Sequence, residues 1–246
     1  MPLDVSTVLM IYNEEENIAP LVRDILAVYD GSGLDGEVIC VEDGSEDGSA
    51  LVVADLVEED PRVVAIYHEG NRGRSWAIRS GFDAARGEVT VIMDSDRQYE
   101  PREVPALVER VREGWDVVSG RRDRREDRLD RKLISKVYNA LIVRGYLRTP
   151  VVDQNSGLKA FRSEFSKGMD FDPTGFLGLH RFILPLAHLR GGRILEVPCA
   201  HYERPAGRSY IRSTTVPFIT LRDLRRFRRL YVLPARRAGR GGEGAP

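Results

Sequence analysis

Val89-Thr90-Val91-Ile92-Met93-Asp94-Ser95-Asp96 is the stretch that decides the fold. Five apolar or β-branched residues in a row read as a buried strand. The strand runs out into two carboxylates one residue apart. At a strand-to-loop transition both can turn toward one hard cation, and Mg2+ is commonly held by one or two protein carboxylates plus substrate phosphates. Open α/β sheets place ligands beyond the carboxyl ends of their strands. Taken alone, the triplet is equally a polar turn. Its neighbours decide between the two.

Working outward, strand and helix signals alternate. Strands are expected at Val5–Tyr12, Val38–Val41, Val63–Tyr67, Val89–Met93 and Asp116–Ser119. Helices are expected from the Asn13–Asn17 stretch to about Tyr29, and at Ala50–Glu58, Arg74–Ala85 and Pro101–Glu113. This spacing implies βαβ units, hence an α/β protein with a mostly parallel, Rossmann-like sheet flanked by helices. Further on, a helix is expected at Leu133–Leu147, a turn and short strand over Val151–Arg162, a buried helix at Phe176–Leu189 and a strand at Arg193–Val197. The expected organisation is one domain over residues 1–212, made of a 1–120 half and a 121–212 half. A basic amphipathic helix over 213–234 and a Gly/Arg-rich disordered tail over 235–246 follow.

Composition narrows the class. At 246 residues, 42% hydrophobic and 30% charged, the chain is an ordinary globular one with ample core. Cys40 and Cys199 are too few for a disulfide framework and point to a reducing compartment. Met1-Pro2-Leu3-Asp4 has the form of no signal peptide, and no run of 18 apolar residues exists. The net charge of −1 hides an asymmetry: residues 1–120 hold 10 Lys or Arg against 26 Asp or Glu, residues 121–246 hold 27 against 12. An acidic half beside a basic half suggests a metal site next to an anion-binding surface.

Three acid-bearing loops follow strands of the one expected sheet: Tyr12-Asn13-Glu14, Glu42-Asp43-Gly44-Ser45 and Asp94-Ser95-Asp96. Each alone reads as helix capping, by Ser45 or Asp47 for example. In a parallel sheet all three emerge on one edge, which favours a shared ligand. Neither Gly-x-Gly-x-x-Gly nor Gly-x-x-x-x-Gly-Lys follows the first strand. Phosphates must therefore be neutralised by a metal and by arginines from elsewhere. The missing glycine-rich, lysine-bearing loop also argues against a nucleotidyltransferase, and nothing points to nucleic acid.

The order Tyr-Asn-Glu-Glu-Glu-Asn-Ile, Glu-Asp-Gly-Ser-x-Asp-Gly-Ser, Asn71-Arg72-Gly73-Arg74 and Asp94-Ser95-Asp96-Arg97-Gln98 resembles family 2 glycosyltransferases of the GT-A fold. The dolichyl- and polyprenyl-phosphate sugar synthases are the most similar of these, over residues 5–212. The resemblance implies transfer of a hexose, with inversion, from a GDP- or UDP-sugar to a polyprenyl phosphate. Tyr12, Asn13, Glu14, Glu42, Asp43, Asp94, Ser95, Arg204 and Arg208 would hold the nucleotide sugar. Glu42 stands where the family usually has Asp. Asp94, Asp96 and Gln98 would bind Mg2+ or Mn2+, which stabilises the leaving diphosphate.

In the second half, Ser119-Gly120-Arg121 is similar to the family's Gly-Ser-Arg element, and Arg131 through Ser135 to its Arg-x-x-x-Ser element. The resemblance assigns the acceptor phosphate to Arg121, Arg131 and Ser135. Arg122 through Arg128 read as a solvated charge run. Asp153-Gln154-Asn155-Ser156-Gly157-Leu158-Lys159 resembles an element beside the sugar, and Leu179-His180-Arg181-Phe182 a bacterial His-Arg-Phe element; a lone histidine on an apolar helix is as readily a core residue. Arg204-Pro205-Ala206-Gly207-Arg208-Ser209 resembles a segment that closes over the donor, with Tyr210 where a lysine is usual. A phosphate acceptor is already ionised near neutral pH and needs no base. A hydroxyl acceptor, the rival reading, would need one, and Asp153 is the candidate. A catalytically dead scaffold is a third reading, opposed by the intact Asp94 and Asp96.

In the last helix Leu221, Leu224, Phe227 and Tyr231 share one stripe, while Arg222, Arg225, Arg226 and Arg229 lie around it. This pattern predicts an interfacial helix on an anionic membrane surface, and a cytoplasmic protein peripheral to the inner face of the cell membrane; a surface helix packed on its own domain through the stripe is the other reading.

Overall fold

The computed structural model describes residues 3–122, 147, 149–206 and 216–235. Arg131, Ser135, Arg208, most of the expected 133–147 helix, the charge run beyond Arg122 and the tail beyond 235 lie outside the described residues.

A seven-stranded sheet in the order β3-β2-β1-β4-β6-β5-β7 carries the architecture. The strands are β1 (Val5–Ile11), β2 (Gly36–Glu42), β3 (Val63–Tyr67), β4 (Val89–Asp94), β5 (Val117–Arg122), β6 (Lys159–Arg162) and β7 (Ile194–Cys199). All neighbours are parallel except around β6, which runs antiparallel to β4 and β5. The first half alternates with α1 (Glu15–Ser32), α2 (Ser49–Glu59), α3 (Arg74–Ala84) and α4 (Val104–Arg112), as the spacing predicts. Short α5 (Ser163–Gly168), which the sequence reading lacks, follows β6; α6 (Ile183–Leu189) and α7 (Val216–Phe227) complete the set.

The sheet is buried on both faces. β1 alternates: Leu9 and Ile11 enter a core with α1, α2 and α4, while Val8 enters a second core with α3, α6 and α7. The chain leaves β1 toward β2 on one side and returns to β4 on the other. The β1–β4 boundary is therefore a switch point, where open sheets form a ligand crevice at the strand ends. Met10 pairs with Asp94 there, and Ser95 Oγ donates to the Met10 carbonyl at 2.6 Å.

Two expectations change. The helix expected from Phe176 begins later, as a 3-10 turn over Leu179–Phe182 leading into α6. Pro185 explains it: deep in a helix it would lack its bond to the Arg181 carbonyl, whereas in a first turn no partner is needed. The Arg181 carbonyl instead accepts from Gln154 Nε2. The apolar stripe of α7 is also partly spent on its own domain. Phe227 is fully buried and stacks on Phe182 at 5.0 Å, and Leu224 is buried beside it; Leu221 and Leu230 are exposed. Among the described residues no helix is long and apolar enough to cross a membrane.

Candidate active site

The three acidic loops do share one edge, and they fasten one another. Asn13 N–H donates to Ser45 Oγ (3.0 Å), Glu14 N–H to Ser49 Oγ (2.9 Å), Glu46 N–H to Asn13 Oδ1 (2.7 Å) and Gly48 N–H to Glu15 Oε2 (2.9 Å). Each loop thus satisfies backbone donors of the other, and capping and site-building are one construction. Glu42 is spent inside its turn, accepting from Gly44 and Ser45 N–H. Asp43, almost fully buried, accepts from Arg72 and Gly73 N–H at 3.0 and 2.7 Å and meets His68 Nδ1 at 2.6 Å. It fixes the 71–73 loop at the entrance to α3.

Above this edge opens a cavity of about 970 Å3. Of the expected nucleotide-sugar residues, Tyr12, Glu14, Asp43, Asp94, Ser95 and Arg204 line it, as do the expected metal ligands Asp96 and Gln98. Asn13 and Glu42 do not reach the wall; they hold the loops. Glu14 pairs with Arg204 at 2.5 Å, so the segment after β7 reaches across to the end of β1. Burial raises the Glu14 pKa, opposed by Asn17 and Arg204 and reinforced by Asp96. Gln98 donates to the Tyr202 carbonyl at 2.8 Å and accepts from its N–H at 3.0 Å, anchoring the same segment.

Asp94 is ion-paired with Arg74. Asp96 Oδ1 accepts from Gln98 N–H at 3.2 Å, across a turn in which Arg97 adopts the left-handed region (φ 59°). Among the described residues no three His, Cys, Asp or Glu side chains are grouped to hold a metal unaided. The donors are hard oxygens from two carboxylates, with Gln98 beside them. That set fits Mg2+ or Mn2+ that takes its other ligands from phosphate and water. Gly157 packs directly under Asp94, and a Cβ there would run into the carboxylate. Gly157→Ala is therefore expected to displace Asp94 and to weaken Mn2+-dependent nucleotide binding by about 10–100-fold, the range for a residue that orients a ligand. Calorimetric titration of UDP and GDP with Mn2+ checks this, and unchanged affinity would remove Asp94 from the ligand set.

The basic half enters the same cavity, in part through Arg122 and Lys159, to which the sequence assigns no role of their own. Arg122, not Arg121, lies on the wall. Successive strand residues face opposite sides, so a one-residue offset at the end of β5 exchanges them. Asp153 is not on the wall; it is buried and holds Arg122 by two bonds of 2.8 Å and its N–H at 3.1 Å. Both its oxygens bind Arg122, so it serves as the anchor of that side chain. Lys159, at the start of β6, lies on the wall almost fully buried, and Nζ donates to the Ser156 carbonyl. Burial lowers its pKa to about 7; Arg74 and Arg122 act in the same direction and Asp153 against it.

His180 and Arg181 complete this side. Ser75 Oγ accepts the His180 N–H at 3.0 Å and lies 3.1 Å from Nδ1. Burial, with Arg181, Arg74 and Lys159 nearby, lowers the His180 pKa well below the usual value and keeps the ring neutral.

Comparison with known proteins agrees with this geometry. The family model "Glycosyl transferase family 2" matches residues 6–178. An undecaprenyl-phosphate 4-deoxy-4-formamido-L-arabinose transferase of Edwardsiella ictaluri is 34% identical over 209 residues, covering 83% of this chain and 62% of that protein. The chain thus spans less than two thirds of that relative. Among solved structures, glucosyl-3-phosphoglycerate synthase from Mycobacterium tuberculosis, in complex with Mn2+, UDP and glucosyl-3-phosphoglycerate, superposes with a TM-score of 0.61 at 24% identity, covering 82% of this chain and 73% of that one. A mannosyltransferase from Pyrobaculum calidifontis, in complex with GDP-Man and Mn2+, gives 0.59 at 20% identity, covering 85% and 59%. The structural neighbours establish the GT-A fold. With the family model matching most of the chain and this relative at 34% identity, the protein belongs to glycosyl transferase family 2.

Proposed function

We propose that this protein transfers a sugar from a nucleoside diphosphate sugar to a polyprenyl phosphate, with a divalent cation at Asp94 and Asp96. The observation that carries the reading is the meeting of those two carboxylates with Arg74, Arg122, Lys159 and Arg181 in one cavity at the switch point of the sheet. An acid-lined, cation-binding side suits a diphosphate, and a basic side suits a second anion. The name of the Edwardsiella relative, an undecaprenyl-phosphate sugar transferase, supports a polyprenyl phosphate as that anion.

Tyr12, Glu14 and Asp43 frame the nucleoside end. When bound, the cation supplies stabilisation of charge on the departing diphosphate oxygen. Arg122, Lys159 and Arg181 receive the acceptor phosphate, whose second ionisation lies near pH 6. A phosphate oxygen attacks the anomeric carbon as the bond to the diphosphate breaks on the opposite face, which inverts the configuration. No side chain need take a proton. The engagement of both Asp153 oxygens by Arg122 favours this acceptor over a hydroxyl. Docking on an anionic membrane surface belongs to the same proposal, supported by exposed Leu221 and Leu230 among Arg225, Arg228 and Arg229.

The test is nucleoside diphosphate release from a panel of GDP- and UDP-sugars, with polyprenyl phosphate in detergent and Mg2+ or Mn2+. Release that requires both lipid and cation is expected. Release with simple alcohols and none with the lipid would move the acceptor assignment to hydroxyls. No turnover with any donor would reinstate a binding scaffold.

A further inference from the structure

His180 and Arg181 sit on the cavity wall, yet the segment leading to them is held from outside the site, by the C-terminal helix. Asp223 of α7 is fully buried, and its Oδ2 accepts the N–H of Leu177 at 3.0 Å and of Gly178 at 2.7 Å. Its Oδ1 takes Arg222 Nε and Nη2 at 3.2 and 3.1 Å. One turn on, Arg226 Nη2 donates to the Thr174 carbonyl at 3.1 Å and its guanidinium lies 5.2 Å from the Phe176 ring centre. Phe227 stacks on Phe182. One face of α7 thus grips residues 174–182 at both ends and at Leu177–Gly178.

A buried carboxylate is destabilising unless hydrogen bonds and a counter-charge offset the loss of water. A mere docking contact for α7 could be apolar, as Leu224 and Phe227 already are. What Asp223 adds is direction: two backbone donors in a stretch without regular secondary structure are fixed on one oxygen. Two residues later the chain is pinned again, by His180 N–H to Ser75 Oγ and by the Arg181 carbonyl to Gln154. The side chains of His180 and Arg181 hang between these pins.

We propose that Asp223 is a positioning residue: through the Leu177 and Gly178 amides it sets His180 and Arg181 on the basic wall, so that α7 tunes the acceptor side of the cavity and not the nucleotide side. The matched family region ends at residue 178, so the clamp is supplied by chain beyond it. For the transfer readout this rests on the proposed function; the other readouts do not.

The test uses the intact protein carrying Asp223→Ala or Asp223→Asn. In Asp223→Ala, amide hydrogen exchange at residues 177–182 is expected to speed up at least tenfold, inorganic phosphate binding to weaken by about tenfold, and UDP or GDP binding with Mn2+ to stay within twofold. Asp223→Asn, which keeps an acceptor oxygen, is expected to recover most of the loss. In transfer assays the KM for lipid phosphate is expected to rise with the KM for donor unchanged, and adding Arg181→Ala to Asp223→Ala is expected to be little worse than Arg181→Ala alone. Equal loss of nucleotide and phosphate binding, or fully additive double-variant effects, would make Asp223 a stability residue only and overturn the proposal. If Asp223→Ala does not fold, the Asn variant decides: a residual loosening at residues 177–182 and a residual loss of phosphate affinity with unchanged nucleotide binding are expected, and wild-type exchange and phosphate affinity, or altered nucleotide binding, would overturn it. A wild-type protein that transfers no sugar sinks the proposed function, while exchange and phosphate binding still judge the clamp.

Discussion

Asp96→Ala is expected to lower kcat/KM for sugar transfer by about 10³-fold or more, with the melting temperature within a few degrees of wild type. Asp96 lines the cavity, and its hydrogen bond is to the Gln98 N–H across the Arg97 turn. Truncation therefore removes charge from the site without opening the core. Asp94 is a less clean probe, because its loss also frees Arg74 and the space above Gly157. Asp96→Asn separates turn from charge. It keeps an oxygen for Gln98 N–H, so the strained Arg97 conformation persists, but it gives a cation a far weaker ligand. Both variants are expected to lose Mn2+-dependent nucleotide binding in titration and turnover in steady-state assays. Turnover by Asp96→Ala near the wild-type rate, or wild-type activity in excess chelator, would take the cation out of the site.

The first half was legible because its signals agree. Strand periodicity, helix spacing and strand-end polarity all imply one parallel sheet with one functional edge, and β1 to β4 with α2 and α3 sit within a residue or two of where the sequence puts them, while α1 runs three residues past Tyr29. What single-loop reasoning misjudged was the contest between caps and ligands. Ser45, Ser49 and Asn13 cap across loops, an arrangement visible only once β1 and β2 are adjacent.

The second half was read less well, for physical reasons that differ by residue. Arg121 and Arg122 are indistinguishable in a charge run, and the one-residue choice that a strand's pleat makes depends on where β5 ends. Lys159 follows the Ser-Gly element and gives no sequence signal of burial; it is buried because β6 is inserted between β4 and β5. Asp223 sits in an arginine-rich helix, where a lone acid reads as a solvated partner. The α7 stripe was correctly seen as apolar, but amphipathicity alone does not tell a membrane from the helix's own domain.

Lys159→Met is expected to stabilise the protein while disabling it. The carboxylates that favour the Lys159 charge are occupied elsewhere: Asp153 by Arg122, and Glu196 by the N–H groups of Val152 and Asp153 at 2.6 and 2.7 Å. In the unfolded chain the ammonium keeps its proton up to about 10.5; in the fold it loses it near 7. Between those values the unfolded state binds more protons, so the stability of the wild type rises with pH across that window. Below about pH 7 both states are protonated and the full penalty, on the order of a few kcal/mol, is present. A methionine of similar length removes the penalty. The variant is expected to melt several degrees above wild type at pH 6, and the gain is expected to shrink toward pH 10. Function should move the other way. An anion bound beside Arg122 holds the lysine protonated, and losing a charge-assisted contact worth about 1.5–3 kcal/mol raises the KM for acceptor phosphate by roughly 10–100-fold. Lys159→Arg, charged at every pH, is expected to keep phosphate binding and to flatten its decline above pH 7. Melting curves from pH 6 to 10 and phosphate titrations at pH 6.5 and 8.5 decide the matter. A methionine variant less stable than wild type throughout, or one with an unchanged acceptor KM, would mean that Lys159 is held for packing and not for an anion. Where stability and acceptor KM both move as expected, the stability lost to this lysine at low pH is what the fold gives up to keep a cation on the basic wall.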